Sequence, residues 1–217
     1  MRADQTTSPP YSSDIEYLMD EIEHIRCRSR RIGLQRELSE SEPTPPKRGV
    51  VGPNIDTEHE ELRRRCQPLE TEEQRLRQMI DARLRATQEA GVSLGLESIT
   101  KEHDLDQFSR TVLLLATISA LDTDHQSLLE KLAPSGFGCC SLTPEMVWAY
   151  LEFTLEDTLL ARVALLPEAP LLQNDLVLLR VGENSNPGDY PGAGIEVSSE
   201  AFAQVVGMPE LSRQGGR

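Results

Sequence analysis

Covalent or metal chemistry has few places to start in this chain. Four cysteines are present. Cys139 and Cys140 are adjacent, and His103 and His125 are the histidines that could join them around an ion. Zinc sites draw on ligands paired at short spacings, and two neighbouring cysteines rarely reach one ion together. These thiols are expected to be buried or half-buried groups in a turn, and no metal is expected. Nucleophilic catalysis fares no better, since there is no Gly-x-Ser-x-Gly elbow and no cysteine has a histidine beside it. The acidic pairs Asp122–Asp124 and Glu156–Asp157 fit solvated faces.

Nucleotide hydrolysis has a firmer obstacle. A P-loop needs Gly-Lys followed by Ser or Thr, because the ammonium must reach the terminal phosphates. The three lysines, Lys47, Lys101 and Lys131, follow Pro46, Thr100 and Glu130. No Walker motif can be built from them. No catalytic residue and no cofactor are expected. Trp148, with Tyr150 on the same helix, is the candidate partner contact, because interfaces are anchored by large aromatic side chains. A lone Trp at this helical spacing also suits a core.

Charge narrows the partner. The chain of 217 residues has a formal net charge of -14. Residues 96–210 hold five Lys or Arg against eighteen Asp or Glu, a net of -13, whereas residues 1–95 hold fifteen against eighteen. Phosphate affinity comes from clustered Lys and Arg, so a DNA backbone is not expected on the second half. The arginines at 26, 28, 30, 31 and 36 are the exception, and read either as an anion patch or as a solvated helix end that complements the helix dipole. The N-terminus is polar and lacks the apolar stretch of a secretory signal. The longest apolar run, Val112–Leu121, is far short of the roughly 20 residues a membrane span needs. A soluble cytoplasmic protein is expected.

These residues must be held by helices. With 38% hydrophobic and only 4% aromatic residues, the core must be built from Leu, Val, Ile and Ala. Residues 1–13, with Pro9–Pro10, read as a disordered tail. Ile15, Leu18, Ile22, Ile25 and Ile32 give an amphipathic helix over 14–38. Residues 39–56 carry four prolines and two glycines and read as a linker. Thr57-x-x-Glu60 and Thr71-x-x-Gln74 are capping patterns. They predict two helices within 57–91, separated at Gln67-Pro68, with Glu60–Arg64, Glu61–Arg65, Glu73–Arg77 and Asp81–Arg85 paired along the surface.

The segment 92–208 reads as one domain. Asp104-x-x-Gln107 opens a helix through Leu121 that is apolar on most sides, and a second runs over Asp122–Leu132. Pro134–Ser141 is a turn. Thr143-Pro144 starts a third helix, and Thr154 starts a fourth carrying Leu155, Leu159, Leu160 and Val163. Asp175–Val181 and Gly194–Val197 read as strands of a long hairpin, and Ser198 or Ser199 caps a last helix. Residues 209–217 read as a flexible tail. The fold expected is mainly α with a small β-hairpin, a winged-helix-like domain preceded by amphipathic helices.

LDQFSRTVLLLATISALD, from Leu105 to Asp122, resembles the N-terminal region of a bacterial family of AAA+ ATPases that carry a winged-helix domain ahead of the ATPase module. Phe108, Val112–Leu115 and Asp122 stand where the family has a phenylalanine, a Leu-rich helix and a following aspartate. LTPEMVWAYL is similar to the family's third helix. Pro167, Ala169, Pro170 and Leu171 match its Pro-x-Ala-Pro-Leu entry into the wing, and YLMDEIEHIRCRSRR resembles its helical lead-in. The resemblance spans residues 14–36 and 94–207 and rests on packing patterns. It implies a non-catalytic accessory or adaptor module whose partner is a protein, such as an AAA+ ATPase module or its assembly. Arg217 ends the sequence where the ATPase module would follow, so a fragment, a split gene product or a stand-alone relative is expected. A DNA-binding regulator and a helical scaffold using residues 14–36 and 57–90 are the alternatives.

Overall fold

Two long helices lie side by side at the start of the chain, α1 (Asp14–Glu40) and α2 (Ile55–Glu89). They run antiparallel, because Glu16 and Asp20 pair with Arg83 whereas Arg31 pairs with Glu73. Leu18, Ile22, Ile25 and Ile32 on α1 and Leu62, Leu76 and Ile80 on α2 are withdrawn from water. The apolar stripe expected on α1 is thus buried except at its first member, Ile15, which is 50% exposed. The computed structural model describes residues 8–40, 55–121, 123–132, 142–180 and 193–208. Residues 1–7, most of the expected linker, the Pro134–Ser141 turn with Cys139 and Cys140, the hairpin loop and the expected tail at 209–217 lie outside the described residues.

Three local expectations fail here. The helix does not break at Gln67-Pro68. A proline inside a helix removes one hydrogen bond and crowds the preceding turn, at a cost of about 3 kcal/mol. Pro68 faces solvent, and buried Leu62 and Cys66 before it and Leu76 and Ile80 after it hold one continuous helix against α1. Thr71 consequently caps nothing, and its hydroxyl donates back to the Gln67 carbonyl at 3.1 Å. Glu73 turns away from Arg77 to accept from Arg31 at 2.5 Å and Arg28 at 3.2 Å. Arg77 takes Asp81 instead, at 2.6 Å. The expected Glu60–Arg64 pair does form, exposed and at 3.5 Å, which gives it little weight.

The segment expected to be a disordered tail includes an anchor. Tyr11 is 1% exposed. Its backbone N–H donates to Thr87 at 2.8 Å, its hydroxyl to Asp20 at 3.0 Å, and the Arg83 guanidinium lies 4.0 Å from its ring centroid. An isolated tyrosine in a polar segment carries no periodicity from which this could be read.

A short helix not foreseen in the sequence, α3 (Gly95–Glu102), follows. Gly95 must be glycine, because a Cβ there would sit 1.9 Å from the Gln204 carbonyl oxygen of the last helix. Its N–H donates to Asp14 at 2.5 Å, which ties α3 to the start of α1.

At the centre is α4 (Gln107–Leu121), in which every residue from Ser109 to Ile118 is buried. Its start is capped by Asp106, which accepts from Ser109 N–H at 2.7 Å, and not by the expected Asp104, whose φ is 48°. Around it lie α5 (Thr123–Glu130), α6 (Pro144–Leu151), α7 (Leu155–Ala161) with a 3-10 turn over Arg162–Leu165, α8 (Pro170–Gln173) and α9 (Ser199–Val205). Strands β1 (Val177–Arg180) and β2 (Gly194–Val197) pair antiparallel with Val177 opposite Val197. Leu142, just before α6, adds one bridge to Ile195. The expected architecture, mainly helical with a small hairpin, is what the chain adopts.

One residue of the buried stretch of α4 is neither apolar nor small. Arg110 is 7% exposed, and its guanidinium reaches Glu97 at 2.7 Å, Glu21 at 3.4 Å and the Tyr17 hydroxyl. Glu21, at 1% exposed, would be left with Arg77 at 3.8 Å and Tyr17 as its described neighbours if Arg110 were removed. Breaking a buried pair from one side leaves an uncompensated charge and costs roughly 3–5 kcal/mol. Arg110→Ala is expected to lower urea-unfolding stability by about that amount. A loss below about 1 kcal/mol, the scale of an exposed pair, would contradict a structural role for the buried Arg110 contacts.

Candidate functional site

Helices α6 and α7 are joined by Glu152, Phe153 and Thr154, a connection as short as that of a helix-turn-helix. Thr143 caps α6 by accepting from Met146 N–H, and Pro144 occupies its first turn, as the sequence predicts. The turn is made by Glu152, with φ 56° and ψ 38°. A left-handed conformation costs a non-glycine residue about 1–3 kcal/mol. A glutamate stands there because its carboxylate is held: Arg31 donates to it at 2.7 Å and Arg28 at 3.3 Å. Arg28 also donates to the Tyr150 carbonyl at 3.0 Å. Phe153 stacks on Phe108 of α4, with ring centroids 5.8 Å apart. Thr154 and Asp157 then form a reciprocal capping box that starts α7.

The arginine cluster of α1 thereby finds its use. Arg28 and Arg31 are joined to Glu73 and Glu152, Arg26 to Glu23, and Arg36 to the Leu132 carbonyl. Arg28 and Arg31 thus tie the α1–α2 pair to the turn between α6 and α7. The Arg31 hydrogen bond holds the Glu152 carboxyl below its ordinary value.

Trp148 and Tyr150 lie inside. Trp148 is 8% and Tyr150 4% exposed. The Arg162 guanidinium lies 5.7 Å from the Trp148 ring centroid, and that of Arg28 lies 5.1 Å from the Tyr150 ring centroid.

The surface that does face solvent is α7. Leu155 is 79%, Leu160 67%, Val163 61% and Leu159 55% exposed, while only Ala161 and Leu165 of the α7 and 3-10 segment are buried. Single exposed leucines need no explanation, whereas a contiguous apolar patch marks an interaction surface. Beside it runs a groove of about 410 Å3 between the start of α4 and the 3-10 turn, with Leu160, Val163 and Leu166 as its apolar wall. Asp104, Asp106 and Glu168 stand around the groove, and no Lys or Arg lines it. Hydrogen bonds from the Thr154 hydroxyl and N–H hold the Asp157 carboxyl below its ordinary value, so α7 begins with two carboxylates, Glu156 and Asp157.

A duplex-reading helix would carry a different set of side chains. In a DNA-binding helix-turn-helix the second helix enters the major groove, with Arg, Lys, Asn or Gln on base edges and cations on phosphates. Here that helix presents leucines and carboxylates. Among the described residues no cluster of three His, Cys, Asp or Glu side chains could hold a metal ion. Cys27 and Cys66 are buried thiols whose ionisation burial pushes up. No described helix is long and apolar enough to cross a membrane. The α7 leucines were visible in the sequence, but their exposure was not, because a four-residue apolar spacing reads the same whether a partner is inside the chain or outside it.

A family model described as "Winged helix domain, variant" matches residues 1–214. No curated protein and no solved structure matches the chain significantly.

Glu152 gives the site a pH dependence with a defined sign. A carboxyl whose folded-state value is lowered stabilises the fold above its unfolded value, and that contribution is lost as pH falls through the folded value. Stability contributed by the Glu152–Arg31 pair is therefore complete near neutrality and declines below about pH 4.5, the ordinary value for Glu. Glu152→Gln is expected to destabilise the chain at pH 7 more than at pH 3.5 in urea unfolding. An equal effect at both would show that the charge of Glu152 does not hold the turn.

Proposed function

The chain belongs to the family of variant winged helix domains, and on that premise we propose that it is a non-catalytic protein-interaction module that docks a partner on the second helix of its helix-turn-helix. The observation that carries this reading is the solvent-facing apolar side of α7, Leu155, Leu159, Leu160 and Val163, at the position a DNA-binding relative would fill with basic side chains. The acidity of the domain supports a protein partner, since residues 96–210 carry a net of -13. The resemblance of Leu105–Asp122 to the region preceding an AAA+ ATPase supports a narrower role, an accessory or adaptor that positions a partner for such an ATPase. A cytoplasmic setting and the absence of a catalytic role belong to the same proposal. So does the suggestion that Trp148 and Tyr150 act through the stability of α6.

Affinity capture with the wild-type chain and with Leu159→Asp/Leu160→Asp tests it. The wild type is expected to retain an ATPase or a component of its assembly, and the double variant to lose it by at least tenfold. Recovery of no such component would defeat the ATPase role. A gel shift of duplex DNA at low salt would defeat the reading as a whole.

A further inference from the structure

The partner's chemistry can be taken one step further, on the reading that α7 is a docking surface. We propose that the groove between the start of α4 and the α7 region accepts an amphipathic helical segment whose apolar stripe is bordered by Lys or Arg.

Two observations select this occupant. The first is shape. The apolar wall, Leu160, Val163 and Leu166, rises from the end of α7 through the 3-10 turn and faces the groove, and Leu155 and Leu159 of the same helix are also exposed. A helix laid in a groove engages such a wall through apolar side chains at i, i+3, i+4 and i+7.

The second is charge. Asp104 and Asp106 stand at one side of the groove, Glu168 belongs to its lining, and Glu156 and Asp157 begin the adjoining helix. Arg162 is the one basic residue of α7 and its 3-10 turn, and it lies over the Trp148 ring. Complementary potential steers encounter and rejects wrong partners, so the border of the incoming segment must be cationic. A second copy of this chain would set acidic rim against acidic rim. An anionic membrane surface would be repelled for the same reason, since such surfaces recruit basic segments.

The test uses the full chain and two fluorescein-labelled helical model peptides. Both carry the same Leu stripe, bordered by Lys in one and by Glu in the other. The Lys peptide is expected to bind at least tenfold more tightly at low salt, with the preference shrinking as ionic strength rises. Asp104→Asn/Asp106→Asn/Glu168→Gln is expected to bring the two peptides within about twofold while leaving the fold intact, because Asn also serves as a helix cap. Leu160→Ser is expected to abolish binding of both.

Equal binding of the two peptides to the wild type, or a Lys preference that survives the triple substitution, would overturn the cationic partner while leaving α7 as a docking surface. Binding of neither peptide would also overturn it. A dimer in sedimentation that Leu160→Ser dissociates would make a second copy the occupant. A shift of duplex DNA would instead remove the underlying reading.

Discussion

Burying α4 on nearly every side is the constraint from which the other elements take their places. Ten consecutive residues, Ser109 to Ile118, are out of water, and a helix without a solvated stripe needs cover from every direction. Strand β2, α5, α8 and α3 pack around it, as the interactions between these elements show. The α1–α2 pair closes the remaining side through Tyr17 and Glu21, which meet Arg110. One guanidinium inside that helix therefore obliges a buried carboxylate on α1, and the N-terminal helices become part of the same body. The family match spans both halves, residues 1–214.

The layer outside α4 is finite, and α7 is where it ends. Its length is 7 residues, its start is set by a local capping box, and its inward anchor is Ala161. Everything that fixes its position lies at its edges: Glu152 held by two arginines of α1, Phe153 stacked on Phe108, and Arg162 over Trp148. That frame supports the apolar face without covering it. A preorganised surface of this kind avoids ordering costs when a partner arrives. Most of the apolar residues of α1 and α2, by contrast, are already buried within the chain, Ile15 and Met19 being the exposed ones on α1.

What could be read from the sequence was what is decided within a few residues. Thr143-Pro144 and Ser198 mark helix starts because a cap is a contact between near neighbours. The apolar excess of α4 announced its burial for the same reason. Decisions made over long separations were hidden. Pro68 stays within a helix because of α1, Glu73 abandons Arg77 because Arg31 is closer, and Tyr11 is anchored by Thr87. The role of the arginines on α1 was legible only as a choice between an anion patch and a helix end. The structure gives a third answer, ion pairs across 42 and 121 positions of sequence. Of the candidate site, the sequence pointed to Trp148 and Tyr150, seven and five positions before the start of the helix that is exposed. It could not say which apolar residues the chain leaves without cover.

Paramagnetic solvent relaxation of methyl groups in the isolated chain measures that cover most directly. The account predicts that the methyls of Leu155, Leu159, Leu160 and Val163 relax several-fold faster than those of Val112, Leu113 and Leu115 when a soluble gadolinium chelate is added. Relaxation of the α7 methyls as slow as that of the α4 core would contradict it, since another part of the chain would then occupy the face assigned to a partner.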